Sequence, residues 1–169
     1  EQKEWNPFWG KEYQVQLTKS DLRKGGIGQN YFKHIKGTED QYLYNTQRYG
    51  IKGYRINLPN GNYRVTFLFS ETKYKEPDKR VFDIALEGEK LLQGIDVYKL
   101  VGSATVCQVV SPELRVDDFT LEIDIEPIKG ETFLSAFIRE GMTDDVNQIK
   151  GEPYRRCIDV GGGLYKDFE

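Results

Sequence analysis

The residues of this chain that could do chemistry are tyrosines set among charges and glycines. "NTQRYGIKGY" carries Arg48 and Tyr49, and "FSETKYKEPDKR" carries Glu71 and Tyr74. Eleven Tyr, nine Phe and two Trp make 13% of the sequence, and many of them lie outside apolar runs. Such residues suit the binding of sugars. The C–H faces of a sugar ring stack on Tyr and Trp, and its hydroxyls need carboxylates, amides or Arg held in fixed positions. Loops carried on a rigid sheet supply both kinds of partner. Each tyrosine taken alone also reads as a packed rim residue.

Catalytic groupings are sparse. The single histidine, His34, and the absence of a nucleophile-elbow pattern argue against a Ser or Cys nucleophile with a His base. Cys107 and Cys157 match no metal spacing, so no metal or cofactor is expected. The two cysteines read either as buried thiols or, in an oxidising compartment, as one disulfide. "GGIG" at 25–28 and "GGG" at 161–163 read as turns, because neither sits in the strand-to-helix context of a nucleotide loop. Glu71 and Asp83 could form a glycosidase pair only if the fold set them across one sugar. We therefore expect a protein that is not an enzyme.

A net charge of −3 lacks the basic face that nucleic acid requires. No apolar run approaches the ~20 residues of a membrane span. Because the chain begins at Glu1 with neither Met nor a signal-like segment, we expect it to be excised from something longer or processed.

The elements that must carry these residues read as β-strands. "YRINLPNGNYRVTFLFSE" alternates on both sides of Asn60-Gly61, a strong turn signal, and puts Tyr63, Val65, Phe67 and Phe69 on one face. "RVFDIALEGEKLL" repeats the device with Glu87-Gly88-Glu89 as the turn. "FTLEIDIE" sends Phe119, Leu121, Ile123 and Ile125 inward and its acidic residues outward. "ATVCQVV" and "TFLSAFI" complete the set, and no helical period exceeds about two turns. The expected fold is all-β, an antiparallel jelly-roll-like sandwich. Its core holds Val65, Phe67, Phe69, Phe82, Ile84, Leu121, Ile123 and Phe137, with Tyr63 and Phe119 at the ends. Residues 1–35 read as loop, carrying Trp5, Trp9, Tyr31 and Phe32.

"EDQYLYNTQRYG", then "YRINLPNGNYRVTFLFSE", "RVFDIALEG" and "GIDVYKLVG", resemble in that order the malectin and malectin-like carbohydrate-binding domains. The resemblance covers most of residues 38–140; Ser70 replaces the family's Ala before the Glu. It implies a sandwich that binds sugar through loop aromatics. The tyrosine of the family's Arg-Tyr motif falls on Tyr49. Its later aromatic pair falls on Lys73 and Tyr74, its earlier tyrosine lies nearest Tyr31, and Lys129 stands about where it has an aspartate. The expected site is therefore Tyr49, with Tyr31, Tyr74 and Trp9 for stacking and Glu71 and Arg48 for hydroxyls. Alternatively Arg48 and Glu71 pair with each other to hold the loops.

The same resemblance implies a carbohydrate ligand, a parent protein with a catalytic domain, and a secreted, periplasmic or cell-surface location. The alternative function is a structural or protein-docking module without sugar affinity.

The tail "CIDVGGGLYKD" resembles the strand, Gly-Gly turn, Tyr and Asp with which family members begin, and Trp5 supplies the next landmark. This implies a circular permutation, with residues 1–140 as the body, 141–156 as a linker and 157–169 as the permuted first strand. The 17 residues between Arg139 and Cys157 can extend to about 55 Å, ample for the return. A truncated repeat or an exchanged strand remain the other readings of this tail.

Overall fold

A computed structural model describes residues 22–142 and 155–159. Among the described residues, eleven strands and two single-turn helices follow in the order β1 (Leu22–Asn30), α1 (Gln41–Asn45), β2 (Thr46–Asn57), β3 (Gly61–Phe69), β4 (Val81–Leu86), β5 (Glu89–Ile95) and α2 (Val97–Val101). Then come β6 (Cys107–Val110), β7 (Leu114–Val116), β8 (Thr120–Lys129), β9 (Phe133–Leu134), β10 (Ala136–Gly141) and β11 (Arg155–Asp159). One sheet runs β1-β2-β8-β4-β5 with β9 also on β2; the other runs β11-β10-β3-β6 with β7 also on β3. All named strand pairings are antiparallel, as the half-polar alternation requires.

The two sheets close on one apolar layer. All eight expected core residues are fully buried. Rings lock across the layer: Tyr54 against Phe137 at 5.1 Å, and Phe69 against Phe82 at 5.5 Å. A smaller cluster lies on the outer face of the second sheet, where Leu43 and Tyr44 of α1 pack with Ile35, Leu68, Ala136 and Ile138. It fixes α1, and with it the start of β2.

Several expectations change. The segment 22–30, read as loop, is the edge strand β1, paired with β2 from Leu22↔Arg55 to Asn30↔Thr46. Its glycines form a bulge between Lys24 and Gly25 rather than a free turn, with Gly25 and Gly26 at φ 75° and 84°. A side chain at Gly26 would strike the Arg48 stem at 2.6 Å. Without alternation, such a strand carries no period-2 signal.

The Asn60-Gly61 turn joins no hairpin, since β2 and β3 lie in different sheets. Asn60 anchors the crossing by donating to Asp117 O and accepting from Phe119 N, and Tyr63 donates to Pro59 O at 2.6 Å. Glu87-Gly88, by contrast, does close a two-residue hairpin, with Leu86 opposite Glu89 and φ of 52° and 78°. Phe119 does not point inward: it takes φ 63° in the turn before β8 and is 64% exposed.

β11 pairs with β10 from Ala136↔Asp159 to Glu140↔Arg155, so the chain is already a strand two residues inside the segment read as linker. β3 and β10 stand between β6, which bears Cys107, and β11, which bears Cys157. At ~4.8 Å per strand the backbones are about 14 Å apart, beyond the reach of a disulfide. Cys107 is a buried free thiol, and desolvation pushes its pKa up.

Candidate functional site

Tyr49 enters the site from β2, between Ile27 of β1 and Phe133 of β9. It is thus a strand residue rather than a loop residue, and only 8% exposed. Tyr31 follows β1 directly and faces it, with ring centroids 6.0 Å apart and planes at 34°. Burial, with the hydrogen bond to Tyr49, raises the Tyr31 phenol well above its ordinary value, so it stays a protonated donor. Phe133 meets Tyr49 edge-on at 6.1 Å.

Beneath the rings lies a buried ion pair. Arg80, just before β4, donates through Nε and Nη2 to both carboxylate oxygens of Glu71 at 2.9 and 2.6 Å. Nη2 also reaches Tyr49 Oη at 3.3 Å. The guanidinium carbon lies 3.9 Å from the Phe133 ring centre, 4.5 Å from that of Tyr49 and 5.2 Å from that of Tyr74. Burial alone would lower the Arg80 pKa; the hydrogen bonds and charge of Glu71 outweigh it and leave it raised. Glu71 Oε1 also accepts from Lys73 N and Tyr74 N at 2.8 and 3.0 Å, which folds the loop after β3 over the site.

Lys73 crosses the opening. Its ammonium stands 5.4 Å from the Tyr49 ring and 5.2 Å from the Tyr74 ring, and it pairs with Glu131 at 2.5 Å. The hydrogen bond to Glu131 raises the Lys73 pKa. Glu131 is delivered by the turn between β8 and β9, where Gly130 has φ 68°. The result is a cleft of about 510 Å³ lined by Tyr31, Tyr49, Lys73, Glu131, Gln29 and Ile27, among others. Its size suits a small ligand, and it offers ring edges beside one cation and one anion.

The expected site residues divide on this geometry. Tyr31 and Tyr49 meet in the cleft. Tyr74 is half-buried behind Lys73 and does not line it. Trp9 lies outside the described residues.

Glu71 is 2% exposed with both oxygens engaged, so it holds the loop from below rather than facing a hydroxyl. The expected Arg48–Glu71 pair does not form. Arg48 is one residue from Tyr49 on β2 and so on its other face, where it donates to Gly26 O at 2.9 Å. The partner of Glu71 is Arg80. Nor do Glu71 and Asp83 face one sugar, because Asp83 points away from the core and accepts from Gly94 N at 2.8 Å. Arg80, Glu131 and Phe133 were not singled out in the sequence. Arg80 stood in the quoted "RVFDIALEG", and Glu131 lies two residues past Lys129. Among the described residues no three His, Cys, Asp or Glu side chains gather to hold a metal.

Comparison with known proteins bears on this arrangement. The family model described as "Malectin domain" matches residues 8–144. Malectin-B of Xenopus laevis is 27% identical over 132 residues, 68% of this chain and 48% of that protein. Malectin of Homo sapiens is also 27% identical, over 68% of this chain and 45% of its own length. The chain thus spans about half the length of these curated relatives.

A Bacteroides uniformis β-glucuronidase superposes with a TM-score of 0.68 at 23% identity, over 78% of this chain and 15% of that one. The ANXUR2 extracellular domain from Arabidopsis thaliana gives 0.59 at 14%, over 70% and 40%. At these identities the superpositions show the shared sandwich fold alone. With the family model matched across most of its length, the chain belongs to the malectin domain family, whose domains are carbohydrate-binding modules.

Proposed function

We propose that this domain is a non-catalytic module that holds an oligo- or polysaccharide in the cleft between Tyr31, Tyr49, Lys73 and Glu131. The observation that carries the reading is the convergence of two tyrosine rings and a Lys–Glu pair on one open cleft. The rings offer apolar surface and the charged pair offers a donor and an acceptor to neighbouring hydroxyls. Arg80 and Glu71 set the height of the rings from below. A glycan array spanning plant, algal and α-glucan polysaccharides tests it. Retention on at least one, weakened by Tyr49→Phe or Lys73→Met, is the expected result; no retention on any overturns it.

The neighbours suggest the setting, an accessory role in a secreted glycoside hydrolase or a cell-surface receptor. The parent catalytic domain would then be a covalent partner. Residues from Cys157 onward would supply the family's first strand in permuted order, a reading supported by the pairing of β11 with β10 within this chain. The second reading, a protein-docking module, is favoured by Ile27 and Phe32, 71% and 100% exposed at the rim.

A further inference from the structure

Phe32 stands fully in solvent on a backbone that is held unusually firmly. Asn45 of α1 accepts from Lys33 N at 3.0 Å and donates to Lys33 O at 2.8 Å. Gln41, one helical turn earlier, accepts from Ile35 N at 2.7 Å and donates to Ile35 O at 2.9 Å. Tyr31 N adds a bond to Asn45 O at 2.8 Å. Two side-chain amides thus grip alternate residues of 31–35 as a neighbouring strand would. α1 is itself fixed by Leu43 and Tyr44 in the smaller apolar cluster. An aromatic ring is therefore displayed on a rigid support, where little backbone freedom remains to be lost on binding.

The ring borders a second depression of about 480 Å³, walled by Tyr31, Phe32, His34 and Tyr42 and mostly apolar. Tyr42 is 51% exposed there. Tyr31 is the wall between this depression and the tyrosine cleft. The amides of Gln41 and Asn45 that reach it are already bonded to backbone, so apart from the Lys33 and His34 side chains what it offers is ring surface.

We infer that this depression is a second subsite, which takes the continuation of the same sugar chain across Tyr31 and stacks it on Phe32 and Tyr42. The inference rests on the carbohydrate reading of the cleft and extends it to a ligand longer than the cleft alone accommodates. The division of labour follows from the side chains. The cleft, with its Lys–Glu pair, selects the sugar; the Phe32 subsite adds affinity with chain length and discriminates little between linkages. A protein partner would favour a flat continuous patch, whereas this surface is two hollows parted by one ring.

The test is calorimetric titration of wild type and Phe32→Ala with di- to hexasaccharide ladders of maltose, cellobiose and laminaribiose type. On the ladder that binds, wild-type affinity should rise roughly five-fold or more from the shortest to the longest member, in line with one or two stacked rings. Phe32→Ala should abolish that rise and leave disaccharide affinity and melting temperature unchanged. A disaccharide bound on a flat wild-type ladder, or a rise that survives Phe32→Ala, overturns the subsite while the cleft reading stands. Binding of no ladder overturns the subsite, and joined to no retention on the array it overturns the cleft reading as well. A lower melting temperature with the length dependence intact assigns Phe32 to packing. Concentration-dependent self-association lost in Phe32→Ala, with a flat ladder, assigns it to protein docking; both outcomes overturn the proposal.

Discussion

Glu71 and Arg80 form a two-point ion pair with 2% and 1% of their side chains exposed, directly under the Tyr49 ring. Each charge has lost its water and depends on the other, and one end of β3 is thereby tied to the start of β4. Removing one partner leaves an uncompensated buried charge. Glu71→Gln and Arg80→Met are each expected to lower stability by about 3–5 kcal/mol, and the double variant to lose clearly less than the sum. Urea unfolding of the four proteins measures this; strictly additive losses would contradict it.

Tyr49 separates binding from folding only through a conservative change. It is buried between Arg80 and Phe133, so Tyr49→Ala would open a cavity and destabilise the domain by several kcal/mol. Tyr49→Phe keeps the ring and removes the Oη contact with Arg80 at 3.3 Å and the hydrogen bond with Tyr31. Stability should change by no more than about 1 kcal/mol, while affinity for a ligand found on the array falls several-fold. Equal affinity in calorimetry would take the Tyr49 hydroxyl out of the site.

The β4–β5 hairpin carries a pH-dependent liability. Burial raises the Glu87 pKa in the folded protein, with nearby Asp118, Glu122 and Asp117 adding to it, although its carboxylate accepts from Glu122 N. A carboxyl raised on folding favours the native state while protonated and loses that advantage as pH climbs through its raised range. Glu87→Gln should therefore gain on wild type in melting temperature as pH rises from about 3 to about 7. A gap that narrows over that interval would reverse the assignment.

β11 forms one edge of the second sheet. It covers β10 through five register pairs, and Phe137 of the core lies opposite Ile158. Deleting residues 157–169 should unfold or strongly destabilise the domain, since it leaves ladder hydrogen bonds unmade and uncovers one edge of the second sheet. Melts of the intact chain at two concentrations should coincide. A harmless deletion would point to a truncated repeat, and a concentration-dependent melt of the intact chain to an exchanged strand.

The sequence by itself determined the strands whose two faces differ. In β3, β4 and the first half of β8 every second side chain meets the core, so alternation and burial are one fact, and all eight expected core residues lie inside. The Glu87-Gly88 hairpin was legible for a similarly local reason, two residues taking positive φ between short strands. That Tyr31 and Tyr49 would meet was an expectation from resemblance and aromatic clustering, and both line one cleft.

Tertiary structure decided the rest, because the physics there is non-local. Asn60-Gly61 has the chemistry of a hairpin, yet whether the chain turns back or crosses to the other sheet depends on where β8 and β10 lie. β1 is glycine-rich and shows no alternation, so only its partner β2 makes it a strand. Glu71, expected as a hydroxyl partner, was drawn inward by Arg80, nine residues away. Lys73 and Glu131, 58 residues apart, form the cleft's charged pair only because the β8–β9 turn is folded over the loop after β3. Pairing across such distances leaves no local pattern to read, and it is the packing of the two sheets that brings these side chains together.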